Sequence, residues 1–565
     1  MATVGAARRL VPALGWLPNY RREDLRFDLI AGVSVAALVV PKALGYAGIA
    51  QVPLQNGLYA ASAGALLYAL FGTSRQISTG PSSALAAVAA SAAITSGVAA
   101  GDETAQLVAT VTIAAGLLFL LMAVFRMGWI AQFLSRAVIT GFLFGAAIDV
   151  VVGEMAKISG TETDGENVWQ EFHSWLGTIG DFHTASFVVG LVALAAILLL
   201  RFTVPKAPGA LVLVVGGLVA SNLFDLTGRG VATVGDVPRG LPLPMLPDLD
   251  IVTANGATIG IAALAIVLIG FSQTAGDARV FAGRHQYDID VNQESVAQGV
   301  ANAGAGVFQG MPVSTSLSAS SLADASGART GMASLVTGAM VLLTLLFLAP
   351  LFSDLPKPVL AVIIIDAVVF GMMDVPELRR LWRVKRADFW IALAAIVGVL
   401  SAGVLAGVVI GMMLSLAWVV YVSTHPAVAV LGREPGGSAF RDLALHPESE
   451  TYPGVLVLGF NGGISFVTSD ILEDRFRAAA HDPDNPLVAM VVDFGGVNFI
   501  DSQGSAQLGK LATAADEAGV SLRLARVQPD VLAVLEADGI AQALGEDRFH
   551  PNIDAAVTTE LTTRN

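Results

Sequence analysis

Runs of about 18–22 residues with almost no charge recur along the first three quarters of this 565-residue chain, each long enough to span a bilayer core as a helix. No other feature restricts the fold as strongly, because backbone at membrane depth must satisfy its own hydrogen bonds. The composition agrees. Hydrophobic residues make up 54% of the chain and charged ones only 14%, with a mean hydropathy of +0.68, against about 25% charged in an ordinary soluble domain. The chain reads as a polytopic membrane protein. It has no cysteine, which excludes a disulfide framework and thiolate metal sites. The arginines near its N-terminus precede no apolar stretch with a cleavage site, so no secretory signal peptide is expected.

Fourteen segments are expected, near 26–44, 56–72, 80–98, 105–125, 137–155, 184–200, 208–226, 258–276, 291–308, 314–325, 330–349, 357–373, 387–403 and 404–422. With both termini cytoplasmic, the inside loops hold 18 Lys and Arg residues and the outside loops four, Lys157, Arg229, Arg239 and Lys357. That bias follows the positive-inside rule, and an odd number of spans would scramble it. The expected organisation is a cytoplasmic segment 1–25, a transmembrane domain 26–423 with repeats at about 26–226 and 258–423, and a cytoplasmic domain 424–565. In the last of these, "VLVLGF", "LVAMVVDF" and "VSLRLARV" read as strands alternating with helices, a small α/β domain. It holds 9 Lys+Arg against 20 Asp+Glu, so most of the chain's net charge of -14 belongs to the tail and says little about a substrate of the membrane part.

Two stretches depart from simple spans. "RQISTGPSSALAAVAASAA" (75–93) and "FQGMPVSTSLSASSLADASGA" (308–328) each place Gly and Pro before a cluster of hydroxyl residues and a short small-residue helix. Proline stops the helix behind it and glycine lets the chain turn, and broken backbone in a membrane belongs where it lines a cavity or is buried in protein. Packed Gly/Pro kinks are the plainer reading of either stretch alone. Their occurrence as the third and tenth segments, equivalent places in two seven-segment halves, points to half-helices whose N-termini face a midplane site for an anion.

The stretches "DLIAGVSVAALVVPKALGYAGIAQVPLQNGLYA", "FGTSRQISTGPSSA", "DIDVNQESVAQGVANAGAGVFQGMPVSTSLSASSLADASGARTG" and "MVLLTLLFLAPLFSDLPKPVLAVIII" resemble the SulP family of anion transporters over nearly the whole chain. The tail resembles the sulfate-transporter and anti-sigma-factor-antagonist (STAS) domain. The resemblance implies a membrane all-α fold of 14 transmembrane segments in two inverted seven-segment repeats, forming core and gate domains. A small cytoplasmic α/β STAS domain follows. It further implies alternating access, a homodimer in the plasma (inner) membrane, and sulfate, bicarbonate, chloride or a dicarboxylate as cargo. There is no sign of an enzyme, a resident cofactor or nucleic-acid binding.

Departures from the family pattern select the residues of interest. Lys42 stands where Gln is usual, with the aromatic one turn later kept as Tyr46; Gln273 stands where an acid is usual; and Ala319, after Ser318, stands where many members have Arg. A charge in a span normally faces a cavity or a partner. One reading is therefore that Lys42 supplies from the first segment the cation that Ala319 does not supply from the tenth; the other is snorkelling to an interface. The expected anion site comprises Lys42, Tyr46, Gly80, Ser82, Ser83, Gln273, Ser316, Ser318 and Ala319. Asp277, one helical turn after Gln273, is read either as a partner of Lys42 or as a ligand for a coupling Na⁺ or H⁺, and otherwise as a solvated helix end. Asp149 and Asp366, in repeat-equivalent apolar runs, are further coupling candidates or structural carboxylates.

In the tail, "VNFIDSQGSAQL" (497–508) carries Gln503 where the family has its phosphorylated serine, next to Ser502. The domain is read as a regulatory or assembly module for a cytoplasmic protein partner. An uncoupled channel or exchanger and a membrane-anchored signalling protein remain alternative readings of the whole.

Overall fold

The computed structural model describes residues 10–99, 101–126, 135–163, 165, 168–204, 208–235, 237–481 and 485–564. By its contacts the chain divides into Met1–Ser415 and Leu416–Asn565.

The first unit is helical. In chain order it contains α1 (Leu25–Ile49), α2 (Leu54–Phe71), strand β1 (Thr79–Pro81), α3 (Ser83–Ser96), α4 (Asp102–Val124), α5 (Arg136–Ser159), α6 (Val168–Gly177), α7 (Thr184–Thr203) and α8 (Gly209–Phe224). There follow α9 (Leu249–His285), α10 (Val291–Val307), strand β2 (Val313–Thr315), α11 (Leu317–Ala325), α12 (Met332–Leu343), α13 (Lys357–Met372), α14 (Val375–Val384) and α15 (Arg386–Thr424). All fourteen expected segments are helical over most of their length. The third and tenth are half-helices preceded by β1 and β2, as their Gly-Pro breaks require. Segments thirteen and fourteen are one long element, α15, interrupted at Gly403. Its φ of +84° is left-handed backbone, open to glycine and strained for other residues. Beside that break, Leu405 N–H donates to Ser91 Oγ of α3 at 3.0 Å. After α12 the chain passes through a π-turn (Thr344–Leu348) and a 3₁₀ segment (Ala349–Asp354), where Pro350 interrupts the α-helical ladder. The surface helices α6 and α14, ten residues each, lie outside the fourteen expected segments, being too short and too amphipathic to read as spans.

Among the described residues, eight helical stretches are long and apolar enough to cross a membrane by length and composition, two of them α12 and α13 taken with the turns or helix that follow (Met332–Asp354 and Lys357–Val384). α2 and α10 are not among them, being shorter or richer in polar residues; they pack together, α10 also against α4 and α2 against α12. Small residues allow this approach: a Cβ on Gly116 of α4 would stand 2.4 Å from Ala303 N of α10.

The charged ends of the halves are tied to each other. Asp28 of α1, fully buried, accepts from the backbone N–H groups of Arg329 (2.8 Å) and Thr330 (3.2 Å), from Thr330 Oγ1 (2.7 Å) and from the Tyr20 hydroxyl (3.1 Å). Burial and the adjacent Asp28 push the Tyr20 hydroxyl up to about 12. Glu294 of α10, equally buried, accepts from Thr73 N–H (2.8 Å), Thr73 Oγ1 (2.5 Å), Ser74 N–H (3.2 Å) and the Tyr68 hydroxyl. Glu294→Ala is expected to destabilise the fold by about 3–5 kcal/mol, because several buried donors lose their acceptor at about 1–3 kcal/mol each. A fall in the thermal midpoint of the detergent-solubilised protein, with the Glu294→Gln variant intermediate, checks it.

The second unit is an α/β layer structure. Its strands are β3 (Ala427–Arg433), β4 (Phe440–Asp442), β5 (Val455–Asn461), β6 (Ala489–Gly496), β7 (Ser521–Ala525) and β8 (Phe549–His550), in spatial order β4-β3-β5-β6-β7-β8. β5 to β8 run parallel, and β3 pairs antiparallel with both β4 and β5. The helices are α16 (Asp470–Ala480), α17 (Ser502–Glu517), α18 (Pro529–Ala537), α19 (Ile540–Leu544) and α20 (Ile553–Arg564). Alternate residues of β5 and β6 serve the two faces. Leu458, Met490, Val492 and Phe494 pack with Leu508 and Leu511 of α17, whereas Val457, Ala489 and Val491 pack with Ala556 and Val557 of α20. β5, β6, β7, α16 and α17 match the runs legible in the sequence. β4 and β8, three and two residues long, carry too little pattern to be seen there.

Candidate functional site

β1 and β2 cross antiparallel, with Thr79 opposite Thr315, Gly80 opposite Ser314 and Pro81 opposite Val313. The two half-helices, α3 and α11, therefore start side by side. Helix starts leave backbone N–H groups without intrahelical partners and carry about half a positive charge. At α11, Ser316 caps the end, its Oγ accepting from Ala319 N–H at 3.4 Å. At α3, the N-cap Ser82 has extended backbone and makes no side-chain cap hydrogen bond, so the donors of its first turn have no side-chain cap from that residue.

α1 crosses both starts. Pro41 removes one helical hydrogen bond just before Lys42. Lys42 Nζ then donates to Ser318 Oγ at 3.0 Å, and Ser318 Oγ lies 3.2 Å from Ser316 Oγ. One turn on, the Tyr46 phenol lies near the Ser83 side chain at the start of α3. A single helix thus presents a cation to one half-helix and a phenol to the other. Lys42 is half-buried and Ser318 exposed, so the ammonium can exchange a hydroxyl for an anion. A Cβ on Gly80 would meet only Val39 Cγ1, at 3.9 Å, which leaves room beside β1.

α9 supports β2 from the opposite side. Ser314 Oγ donates to Gln273 Oε1 at 2.9 Å and Thr315 Oγ1 donates to Asp277 Oδ2 at 2.8 Å. This corrects two expectations. Asp277 is engaged with Thr315, and among the described residues Lys42 forms no ion pair, so the Lys42–Asp277 pairing is not present. Ala319 offers no group to a ligand: its N–H is used by Ser316, and its methyl lies in an apolar cluster with Ala31, Val35 and Ala323.

The two repeat-equivalent carboxylates have different surroundings. Asp366 of α13 receives both arms of Arg201 from α7, Nε at 2.9 Å and Nη2 at 2.7 Å, and the guanidinium rests 4.0 Å from the Phe370 ring centroid. Arg201 was missed in the sequence. Its only signal was a base at the end of the apolar run "AAILLLRF", which reads equally well as an interfacial anchor. Asp149 of α5 lies apart from the half-helix starts, on a cavity at the C-terminal ends of α1 and α3.

In the second unit, Asp501 caps α17 through Gly504 N–H (2.7 Å) and also accepts from Phe466 N–H (3.0 Å), so the loop is held without Ser502 or Gln503, both exposed.

Comparison with known proteins matches residues 25–395 to the Sulfate permease family and 446–556 to the STAS domain. A probable sulfate transporter of Mycobacterium tuberculosis (strain CDC 1551 / Oshkosh) is 32% identical over 96% of this chain and 98% of its own length. Probable sulfate transporter 4.2 of Arabidopsis thaliana is 29% identical over 97% of this chain and 83% of its own. Among solved structures, murine Slc26a9 in an inward-facing state superposes with a TM-score of 0.89 at 20% identity, covering 99% of this chain and 95% of that one. The transmembrane domain of BicA, a cyanobacterium bicarbonate transporter, gives 0.60 at 22% identity over 70% of this chain and 98% of its own.

Proposed function

This chain belongs to the sulfate permease family of membrane anion transporters, and from that premise we propose that it is a secondary transporter of an inorganic oxyanion, with sulfate the favoured cargo. The anion sits between the starts of α3 and α11, against Lys42 and Tyr46. The observation that carries this reading is the meeting of the uncapped start of α3 with a lysine drawn across to α11 by Ser318. In this reading backbone N–H groups, a helix dipole and an ammonium act together on the anion, a combination that favours an oxyanion. Transport by alternating access follows if the half-helices and α1 move as a body past α5, α7 and α13. The sign of the loop charges supports an orientation with both termini cytoplasmic, in a plasma (inner) membrane.

Sulfate is preferred because the relatives matched along nearly their full length bear that assignment. The test is uptake of labelled sulfate, bicarbonate and a dicarboxylate into proteoliposomes, each with and without an imposed pH or Na⁺ gradient. Saturable sulfate uptake, competed poorly by the other two, is expected; binding without net flux sinks the transport reading, and unsaturable flux down the anion gradient points to a channel. Coupling through Asp277 predicts that Asp277→Asn abolishes the dependence on a cation gradient and leaves downhill exchange in place. A gradient response equal to that of the unsubstituted protein removes Asp277 from the mechanism.

A further inference from the structure

Between α13 and α15 the chain makes a short helix, α14, that the anion site does not use. Met373 and Asp374 separate it from α13, and Lys385 alone separates it from α15. Both flanking helices belong to stretches long and apolar enough to cross a membrane. α14 does not extend them into the hydrocarbon. Four of its ten residues, Glu377, Arg379, Arg380 and Arg383, are charged, and burying so many charges in lipid is costly. A new helix start, where Asp374 accepts from Glu377 N–H at 2.9 Å, turns the chain instead. Connectivity thus puts α14 at the level where two spans leave the bilayer.

The two sides of α14 differ. Glu377 and Leu381 are buried against the protein. Glu377 takes both arms of Arg380, at 2.7 and 2.8 Å, with Arg136 Nε of α5 3.7 Å away. The other side is uncovered: Val375, Arg379 and Trp382 follow at helical spacing and are exposed, with Arg383 one turn after Arg379. Among the described residues, no ion pair reaches Arg379 or Arg383. Trp382 is 46% exposed, and Trp390 at the start of α15 is 57% exposed. Phe389 lies between them, its ring centroid 4.8 Å from Trp382 and 5.8 Å from Trp390. The Arg386 guanidinium stands 5.5 Å from the Trp382 ring. Large open aromatic rings beside open guanidinium groups suit a boundary between apolar chains and phosphate.

We propose that this face of α14 and the start of α15 bind an anionic phospholipid, its phosphate at Arg379 and Arg383 and its acyl chains against Trp382 and Trp390. A guanidinium meets a phosphate with two parallel N–H donors. Tryptophan settles at headgroup level, and basic residues beside a span draw anionic lipids. A lipid held there ties the end of α13 to the bilayer surface, and with it α5 through the Arg136–Glu377 contact.

Native mass spectrometry of the purified, delipidated full chain tests this, with phosphatidylglycerol and phosphatidylcholine of one chain length titrated separately. Because the readout is lipid binding without a transported anion, its failure and a failure of the transport reading are separable. Phosphatidylglycerol is expected to bind about tenfold more tightly than phosphatidylcholine. Arg379→Gln/Arg383→Gln should remove that difference, weakening phosphatidylglycerol by about tenfold and leaving phosphatidylcholine unchanged. If that variant does not fold, tryptophan quenching by lipids brominated on their acyl chains reads the same contact. Quenching should be stronger with phosphatidylglycerol, and Trp382→Phe/Trp390→Phe should abolish the excess. Equal binding of the two lipids by the unsubstituted protein overturns the proposal. So does unchanged phosphatidylglycerol binding in the arginine variant, which would leave the patch to an acidic protein surface. Displacement of the lipid by an equal concentration of inorganic phosphate overturns it too, since that is the behaviour of a free-anion site.

Discussion

Lys42→Gln is expected to lower sulfate uptake by on the order of a hundredfold while leaving the thermal midpoint nearly unchanged. Hydrogen bonds to a charged group are worth about 1.5–3 kcal/mol, and about 1.4 kcal/mol corresponds to a factor of ten, so losing one ammonium contact to the bound anion accounts for one to two powers of ten. Stability should hardly move, because in the empty protein the ammonium makes one described hydrogen bond, to the Ser318 hydroxyl, and no described ion pair, so the substitution leaves no buried charge behind. Lys42→Arg should keep activity and alter selectivity among oxyanions, since a planar fork reads geometry that a point charge ignores. Initial rates across a sulfate concentration series decide the matter: the loss should appear first in the apparent affinity. Unchanged kinetics in Lys42→Gln would mean that the lysine is a solvated bystander and the half-helices hold the anion without it.

The second large effect is structural. Arg201→Ala should destabilise the membrane unit by about 2–4 kcal/mol, at the lower side of what breaking a buried ion pair costs, because the Arg201 side chain is 38% exposed while that of Asp366 is 14% exposed. The loss comes mainly from leaving the Asp366 carboxylate alone in an apolar run. The double variant Arg201→Met/Asp366→Leu should therefore recover most of the stability. Thermal denaturation of the three variants checks this. If the double variant is as unstable as Arg201→Ala, packing of the guanidinium on Phe370 is the main contribution. If Asp366 serves in coupling, the rescued variant will be stable and will not respond to a cation gradient.

Much of the architecture was legible because it follows from composition over long windows. Each span is a run of apolar residues, and the two half-helices announce themselves through Gly and Pro followed by hydroxyls. That Lys42, Ser316 and Ser318 bear on one half-helix start was legible for the same reason, since they sit at spacings that a helix start or a single helical turn makes meaningful; that they hold an anion is the proposal made above. Asp149 and Asp366 were not separable in this way. Both stand in apolar runs at equivalent places, yet one is matched by Arg201 from a helix 165 residues away in sequence and the other lies near another carboxylate, Glu171. Surface helix α6, which brings Glu171 to α5, shows in the sequence only as a ten-residue amphipathic run, with Val168, Trp169, Phe172, Trp175 and Leu176 on one side, too short to read as a span.

By itself the sequence determined the fourteen apolar segments, the two breaks and the α/β character of the tail, because hydropathy and backbone restrictions act locally. Only the tertiary structure decided what each charge meets: Lys42 the Ser318 hydroxyl rather than Asp277, and Asp366 the Arg201 guanidinium. The strength of a charge interaction in a low-dielectric interior depends on a few ångströms of separation, and those separations are set by how distant helices pack.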